Sequence, residues 1–208
     1  MIDRDSWCTA WQAIGARSTG DDVHHRLVHA WSEKQRHYHT LQHLRECLEQ
    51  LDAARMHAQR PAEIAVALWF HDAIYDPVRD DNEARSADWM RSSTTEAGVD
   101  PVTVARLHAM VMATADHVPQ DAPDAQLLVD IDLSIFGAGS DRFDESNHQV
   151  RREFAHVPDP AWRTGRQNML QGFLSRPRLY GTDRFHGLLE ARARENISRE
   201  LKTLSCWR

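Results

Sequence analysis

The stretch Trp69-Phe70-His71-Asp72-Ala73-Ile74-Tyr75 closes an apolar helix with a histidine and an aspartate side by side. Arg60-Pro61 starts that helix, because proline is tolerated at the first helical position, and Ile64, Leu68 and Phe70 carry it inward. A carboxylate at the end of such a helix is costly to bury unless something offsets its charge. A divalent cation would offset it. Imidazole and carboxylate are a common ligand mix, and adjacent helical residues point about 100° apart, so both can reach an ion in the groove beside the helix. A hydrogen-bonded pair at a helix end satisfies the same groups without metal, and 13 histidines in 208 residues make a chance His-Asp pair easy to find. The pair by itself leaves both readings open.

Two further stretches supply ligands of the same kind at distant points, Tyr38-His39-Thr40-Leu41-Gln42-His43 and Asp130-Ile131-Asp132-Leu133-Ser134. With them the chain resembles the HD superfamily of metal-dependent phosphohydrolases, whose signature is a histidine on one helix, a His-Asp pair on a later one and an aspartate on a third. The order matches as His43, His71 with Asp72, then Asp132. The Tyr-His-x-x-x-His run, and Met110-Val111-Met112-Ala113-Thr114 ahead of Asp-Leu-Ser, are similar to parts of class I cyclic-nucleotide phosphodiesterases. The likeness is strongest to a bacterial branch of predicted HD phosphohydrolases and covers roughly residues 35 to 200.

Composition bounds the reading. The chain has 208 residues, 41% of them hydrophobic, which is enough for one well-buried core, and a single domain over residues 1–208 is the simplest count. No apolar run is long enough to span a membrane, and the start Met1-Ile2-Asp3-Arg4-Asp5-Ser6 has no secretory pattern, so a cytoplasmic protein is expected. Cys8, Cys47 and Cys206 are odd in number and widely spaced, which argues against a disulfide framework or a cysteine zinc site. A net charge of -6 argues against extended nucleic acid as partner, while a local basic pocket and a homo-oligomer stay open.

Helical periodicity runs almost throughout, so the fold class is all-α: a helical bundle with its HD-type core at about residues 35–140 and terminal helices packed on it. Two opening helices, residues 3–16 and 21–34, bury Trp7, Trp11, Leu27, Val28 and Trp31, and His24, His25 and His29 are surface or core residues there. Thr40 caps a helix to about His57 with Leu41, Leu44, Leu48 and Leu51 inward and His43 on the flank beside Cys47. Asp80 and Glu83 form a capping box, with a site role for Glu83 as the alternative. Gly98 ends that helix, Asp100-Pro101 starts the next, and His108 is structural. On the helix of residues 124–136, Asp132 lies nearer the apolar direction than Asp130, which is kept as the alternate. In the arginine-rich final third, Gly165 suggests close packing or room for a neighbour beside Arg166.

The resemblance implies hydrolysis of a phosphate ester, in a nucleotide or related small phosphate, by metal-activated water. It implies one or two divalent ions (Mn, Mg, Fe, Co, Ni or Zn) on His43, His71, Asp72 and Asp132, with Asp72 able to bridge two. His39 would protonate the leaving oxygen, and Glu83 would act at the metal-bound water. Arg166, with Arg163, Arg152 and His117, would contact the phosphate. An HD-fold di-iron oxygenase and a non-catalytic nucleotide-binding regulator are the alternatives.

Overall fold

The all-α expectation holds. The computed structural model describes residues 2–206 and contains ten α-helices and no strand among them. In chain order they are α1 (Arg4–Ala13), α2 (Asp21–Ala30), α3 (Leu41–Ala54), α4 (Pro61–Phe70), α5 (Asn82–Glu96), α6 (Pro101–Met112), α7 (Pro123–Asp132), α8 (Ser140–Glu153), α9 (Asp159–Ser175) and α10 (Asp183–Cys206). No helix among them is long and apolar enough to cross a membrane. The contacts divide the chain into two compact units, Met1–Ile131 and Asp132–Arg208, so the boundary falls at the last residue of α7.

In the first unit α4 is the central element, packing against α1, α3, α5 and α6. Its sequence explains the position. Ile64, Val66, Ala67, Leu68, Trp69 and Phe70 are apolar on every side of the cylinder, and a helix of that kind is stable only when enclosed. Its one buried acid, Glu63, is held by a two-pronged pair with Arg106 of α6 at 2.6 and 2.8 Å. The start of α4 is fixed from α7, where the Asp124 carboxylate accepts the backbone N–H groups of Gln59 and Arg60 at 2.8 and 2.9 Å. Aromatic rings cover the far end. Trp7 stacks on Trp11 with centroids 4.9 Å apart and meets Trp69 edge-on at 5.4 Å. The loop between α1 and α2 closes on this cluster at Gly20, whose φ of 69° and carbonyl bond from Trp7 Nε1 leave no room for a side chain; a Cβ there would meet the Trp11 ring at 2.7 Å.

Most helix signals act as read. Thr40 accepts from Gln42 N, Asp100 accepts from Val102 N and Thr103 N, and Gly98 takes a left-handed φ of 77° after α5. Three readings need correction. Val28 is only half-buried; on α2 it is His24 that joins Leu27 in the interior. The Asp80–Glu83 capping box does not form. Asp81 is the N-cap residue of α5 and makes no side-chain cap bond, because Arg79 holds both its carboxylate oxygens at 2.6 Å. Asp130, not Asp132, is the more buried of the two α7 acids: residues 124–131 are buried on every face of the helix, so no apolar direction separates inside from outside, and Gln126 Nε2 satisfies Asp130 at 2.8 Å.

The second unit is organised by α10, which packs on α9 and on the 3-10 turn Leu133–Gly137. Side chains from α10 and the segment before it take up that turn's carbonyls: Asn196 Nδ2 donates to Phe136 O and Ala138 O at 2.9 Å, and Tyr180 OH donates to Leu133 O at 3.1 Å. Gly165 is not closely packed, the first of the two expectations for it, since it is exposed and a Cβ there would meet nothing within 4 Å. Glu190 is the key acid of this unit. Burial by itself would raise its pKa, but the N–H groups of Leu179 and Tyr180 and the Arg194 guanidinium at 2.7 Å outweigh burial and hold it below the usual carboxylate value. The unfolded chain therefore takes up this proton first as pH falls. The stabilisation is present above the unfolded value of 4.5 and is lost as pH drops through the lower folded value. Glu190→Gln is expected to cost about 1.5–3 kcal/mol at pH 7 and clearly less near pH 3. Thermal melts at the two pH values check this, and equal penalties would contradict it.

Candidate metal centre

Five side chains of the first unit, His39, His43, Cys47, His71 and Asp72, converge at the C-terminal end of α4. His71 is the C-cap residue of that helix and is fully buried. Its Nδ1 lies 2.8 Å from the Leu68 carbonyl, which can only accept, so Nδ1 carries a proton and Nε2 is the atom turned toward the cluster. That atom faces a carboxylate oxygen, Asp72 Oδ2, at 3.1 Å, and His43 Nε2 at 3.3 Å. His43 Nε2 and His39 Nε2 each stand 3.9 Å from the same oxygen. Two acceptors 3.1 Å apart in a buried place are stable only with positive charge between them, either a proton on the imidazole or a metal ion. The two shorter separations, 3.1 and 3.3 Å, are compatible with a metal as well as with a hydrogen bond. Ligand bonds of about 2.0–2.2 Å give ligand-to-ligand edges of roughly 3.0 Å in an octahedron and 3.4 Å in a tetrahedron. Cys47, one helical turn after His43, brings Sγ to 3.7 Å from His43 Nδ1, and ligand atoms of His43, Cys47 and His71 all lie within 4.8 Å of one another. A buried cluster of His, Cys and Asp side chains able to hold a metal ion is therefore present.

Arg36 holds the backbone of this centre, and sequence reasoning missed it. It is buried, and its guanidinium donates to Asp72 O at 2.6 Å, Ala73 O at 2.9 Å and His39 O at 3.4 Å. Its own charge is met by Glu33 at 2.9 Å, and it lies over the rings of Trp31 and Tyr75. Trp31 Nε1 donates to Trp69 O at 2.9 Å, so another carbonyl at the end of α4 is satisfied. Nothing in sequence separates a buried arginine from the many exposed ones; its place just ahead of Tyr38-His39 is the only signal.

The remaining expected site residues are placed as follows. His39 is half-buried, stacked on Tyr75 with centroids 4.0 Å apart and edge-on to Tyr38. Glu83 is half-buried in the first turn of α5. His117 is half-buried in the segment after α6, with a left-handed φ of 50° that a non-glycine residue seldom adopts. Asp132 is the half-buried last residue of α7. In the second unit Arg152 is exposed on α8, whereas Arg163 and Arg166 of α9 line a cavity of about 470 Å³ with Asn147, His148 and Glu200. There Arg166 donates to Asn147 Oδ1 at 2.7 Å, and burial raises the Glu200 carboxyl against the opposing charge of Arg166. Compared with protein-family models, curated proteins and solved structures, the chain matches none.

Arg36→Met leaves the Asp72 and Ala73 carbonyls without their guanidinium donor and takes from Glu33 its cationic partner, leaving it the Gln35 amide at 3.0 Å. The variant is expected to lose about 3 kcal/mol of stability and to bind metal about 10- to 100-fold more weakly. Thermal unfolding and a Zn²⁺ or Mn²⁺ titration measure both; unchanged metal affinity in a folded variant would remove Arg36 from the support of the centre.

Proposed function

We propose that this protein is a metal-dependent phosphohydrolase of the HD kind, acting on a phosphate ester in a nucleotide or related small phosphate. The observation that carries the reading is the convergence of His43 Nε2, His71 Nε2 and Asp72 Oδ2 at 3.1–3.9 Å in a buried place, with the His71 tautomer set by Leu68 O. To these the sequence resemblance adds Asp132, at the end of α7, as the further carboxylate. When bound, a divalent ion supplies the Lewis acidity that makes water a nucleophile near neutral pH and polarises a phosphoryl oxygen. The chain's own residues do the rest. His71 and His43 present lone pairs from rings held by α4 and α3, and Asp72 sits between them and His39. His39 is the residue of this group that remains partly open to solvent, and Tyr75 fixes its ring plane by stacking. That combination suits a general acid, which must reach the leaving oxygen while its neighbours stay dry. The backbone bonds of Arg36 keep Asp72 and His39 in register, so binding energy need not be spent on ordering them.

His43→Ala, His71→Ala and Asp72→Ala are each expected to abolish tight metal binding with helicity retained, and Asp132→Ala to do the same while Asp130→Asn does not. Metal analysis of the purified variants decides this: tight binding retained by the Asp72 and Asp132 variants would overturn the ligand set. His39→Ala is expected to keep most of the metal and lose roughly a hundredfold in turnover of a poor leaving group, the scale of a general acid. On p-nitrophenyl phosphate the loss should be smaller, and equal losses on both esters would reject the acid role.

A further inference from the structure

The loop that leaves the metal centre forms one wall of a cavity of about 1020 Å³, the size that takes a ligand of several hundred daltons, and none of the metal-centre histidines lines it. Ala73 and Tyr75 are shared between the two places: Ala73 follows Asp72 directly, and the Tyr75 ring that lines the cavity carries His39 stacked on it. The opposite wall is the outer face of α2, with His25, Arg26 and His29, and the floor is α5, with Arg85 and Trp89. In a chain of net charge -6 this lining is locally basic, with three arginines and two histidines against the carboxylates of Glu33 and Asp76.

The charges are not all committed. Arg36 and Glu33 answer each other at 2.9 Å. Arg26 has only the exposed Asp22 at 3.8 Å, and Arg85 makes no ion pair among the described residues. Both guanidiniums are on exposed side chains, as are His25 and His29. Arg26 also lies 5.1 Å from the centroid of the half-buried Trp89 ring, so the cavity combines exposed cations with a flat aromatic surface. Phosphate oxygens are matched by guanidinium forks, and a planar base stacks on guanidinium and indole planes, so the pairing selects a ligand that carries both.

We infer that this cavity binds a nucleotide, taking its phosphates on Arg26 and Arg85 and its base against the Arg26–Trp89 surface. The inference rests on the hydrolase reading only in making that nucleotide the substrate, whose reactive phosphate lies on the His39 side of Tyr75; the binding itself needs no metal. Isothermal titration of the full chain in EDTA tests it with three probes: ADP, inorganic pyrophosphate and adenosine. Wild type and His71→Ala are expected to bind ADP with the same affinity, more tightly than either fragment. The double variant Arg26→Glu with Arg85→Glu is expected to bind ADP at least tenfold more weakly. Because both positions are exposed, circular dichroism should match wild type, and the single Arg85→Ala variant should show a smaller loss in the same direction. Undiminished ADP binding by the charge-reversed protein, loss confined to His71→Ala, or no binding by wild type would overturn the site. Pyrophosphate binding as tight as ADP would overturn the nucleotide assignment. Absence of phosphate release from every ester tested, by a protein that binds ADP in this way, would instead sink the hydrolase reading and leave the binding site standing.

Discussion

The last turn of α4 ends inside the protein, and the rest of the first unit is arranged to make that tolerable. A helix apolar on all sides must be buried, and its final carbonyls, which have no partners in the helix, are then buried as well. Leu68 O is taken by His71 Nδ1, Trp69 O by Trp31 Nε1, Phe70 O by the Ala73 N–H, and the carbonyls of Asp72 and Ala73 by Arg36. Removing one of these donors leaves a buried acceptor unpaired at a cost of about 1–3 kcal/mol, which is why tryptophan and arginine from the α2 end of the chain belong to the same structure as the His-Asp pair.

The same accounting prepares the chemistry. Because Leu68 O takes the proton of His71 Nδ1, the Nε2 atom faces Asp72 and His43, where it can take either a proton or a metal ion. The helix dipole adds to this, since the C-terminal end of α4 carries partial negative charge and favours positive charge nearby. The aromatic shell of Trp31, Tyr38 and Tyr75 around the histidines keeps the place low in dielectric and holds the ring planes. His39 differs from His43 and His71 in being half-exposed, where the other two are buried.

Much of the scaffold was legible because the relevant signals are local. Thr40, Pro61, Gly98 and Asp100-Pro101 mark helix ends through bonds made within a few residues, and the structure has those ends where the residues stand. The failures share the opposite property. The Asp80–Glu83 box lost to a bond from Arg79 to Asp81 that competes for the capping residue. The reading that Asp132 lies nearer the core than Asp130 failed because α7 is enclosed on every face and Gln126 satisfies the buried Asp130 carboxylate; the preference for Asp132 as ligand rests on the Asp-Leu-Ser resemblance instead. Gly165 was read as close packing or room for a neighbouring group, from the cost of glycine in a helix, and the close packing is absent, since a Cβ there would meet nothing within 4 Å.

What the sequence by itself determined is the helical class, most of the caps, the buried character of α4 and the pairing of imidazole with carboxylate at its end, because periodicity, capping and ligand type are properties of short stretches. Only the tertiary structure decided which lone pairs converge, that Arg36 rather than a residue of the motif holds the turn, and that Cys47 reaches the cluster. These depend on side chains 28 to 37 positions apart in the chain meeting within hydrogen-bond distance, as His43 with His71 and Arg36 with Ala73 do. Such meetings are set by how α3, α4 and the turn after α2 pack around one another, and no local pattern encodes that packing.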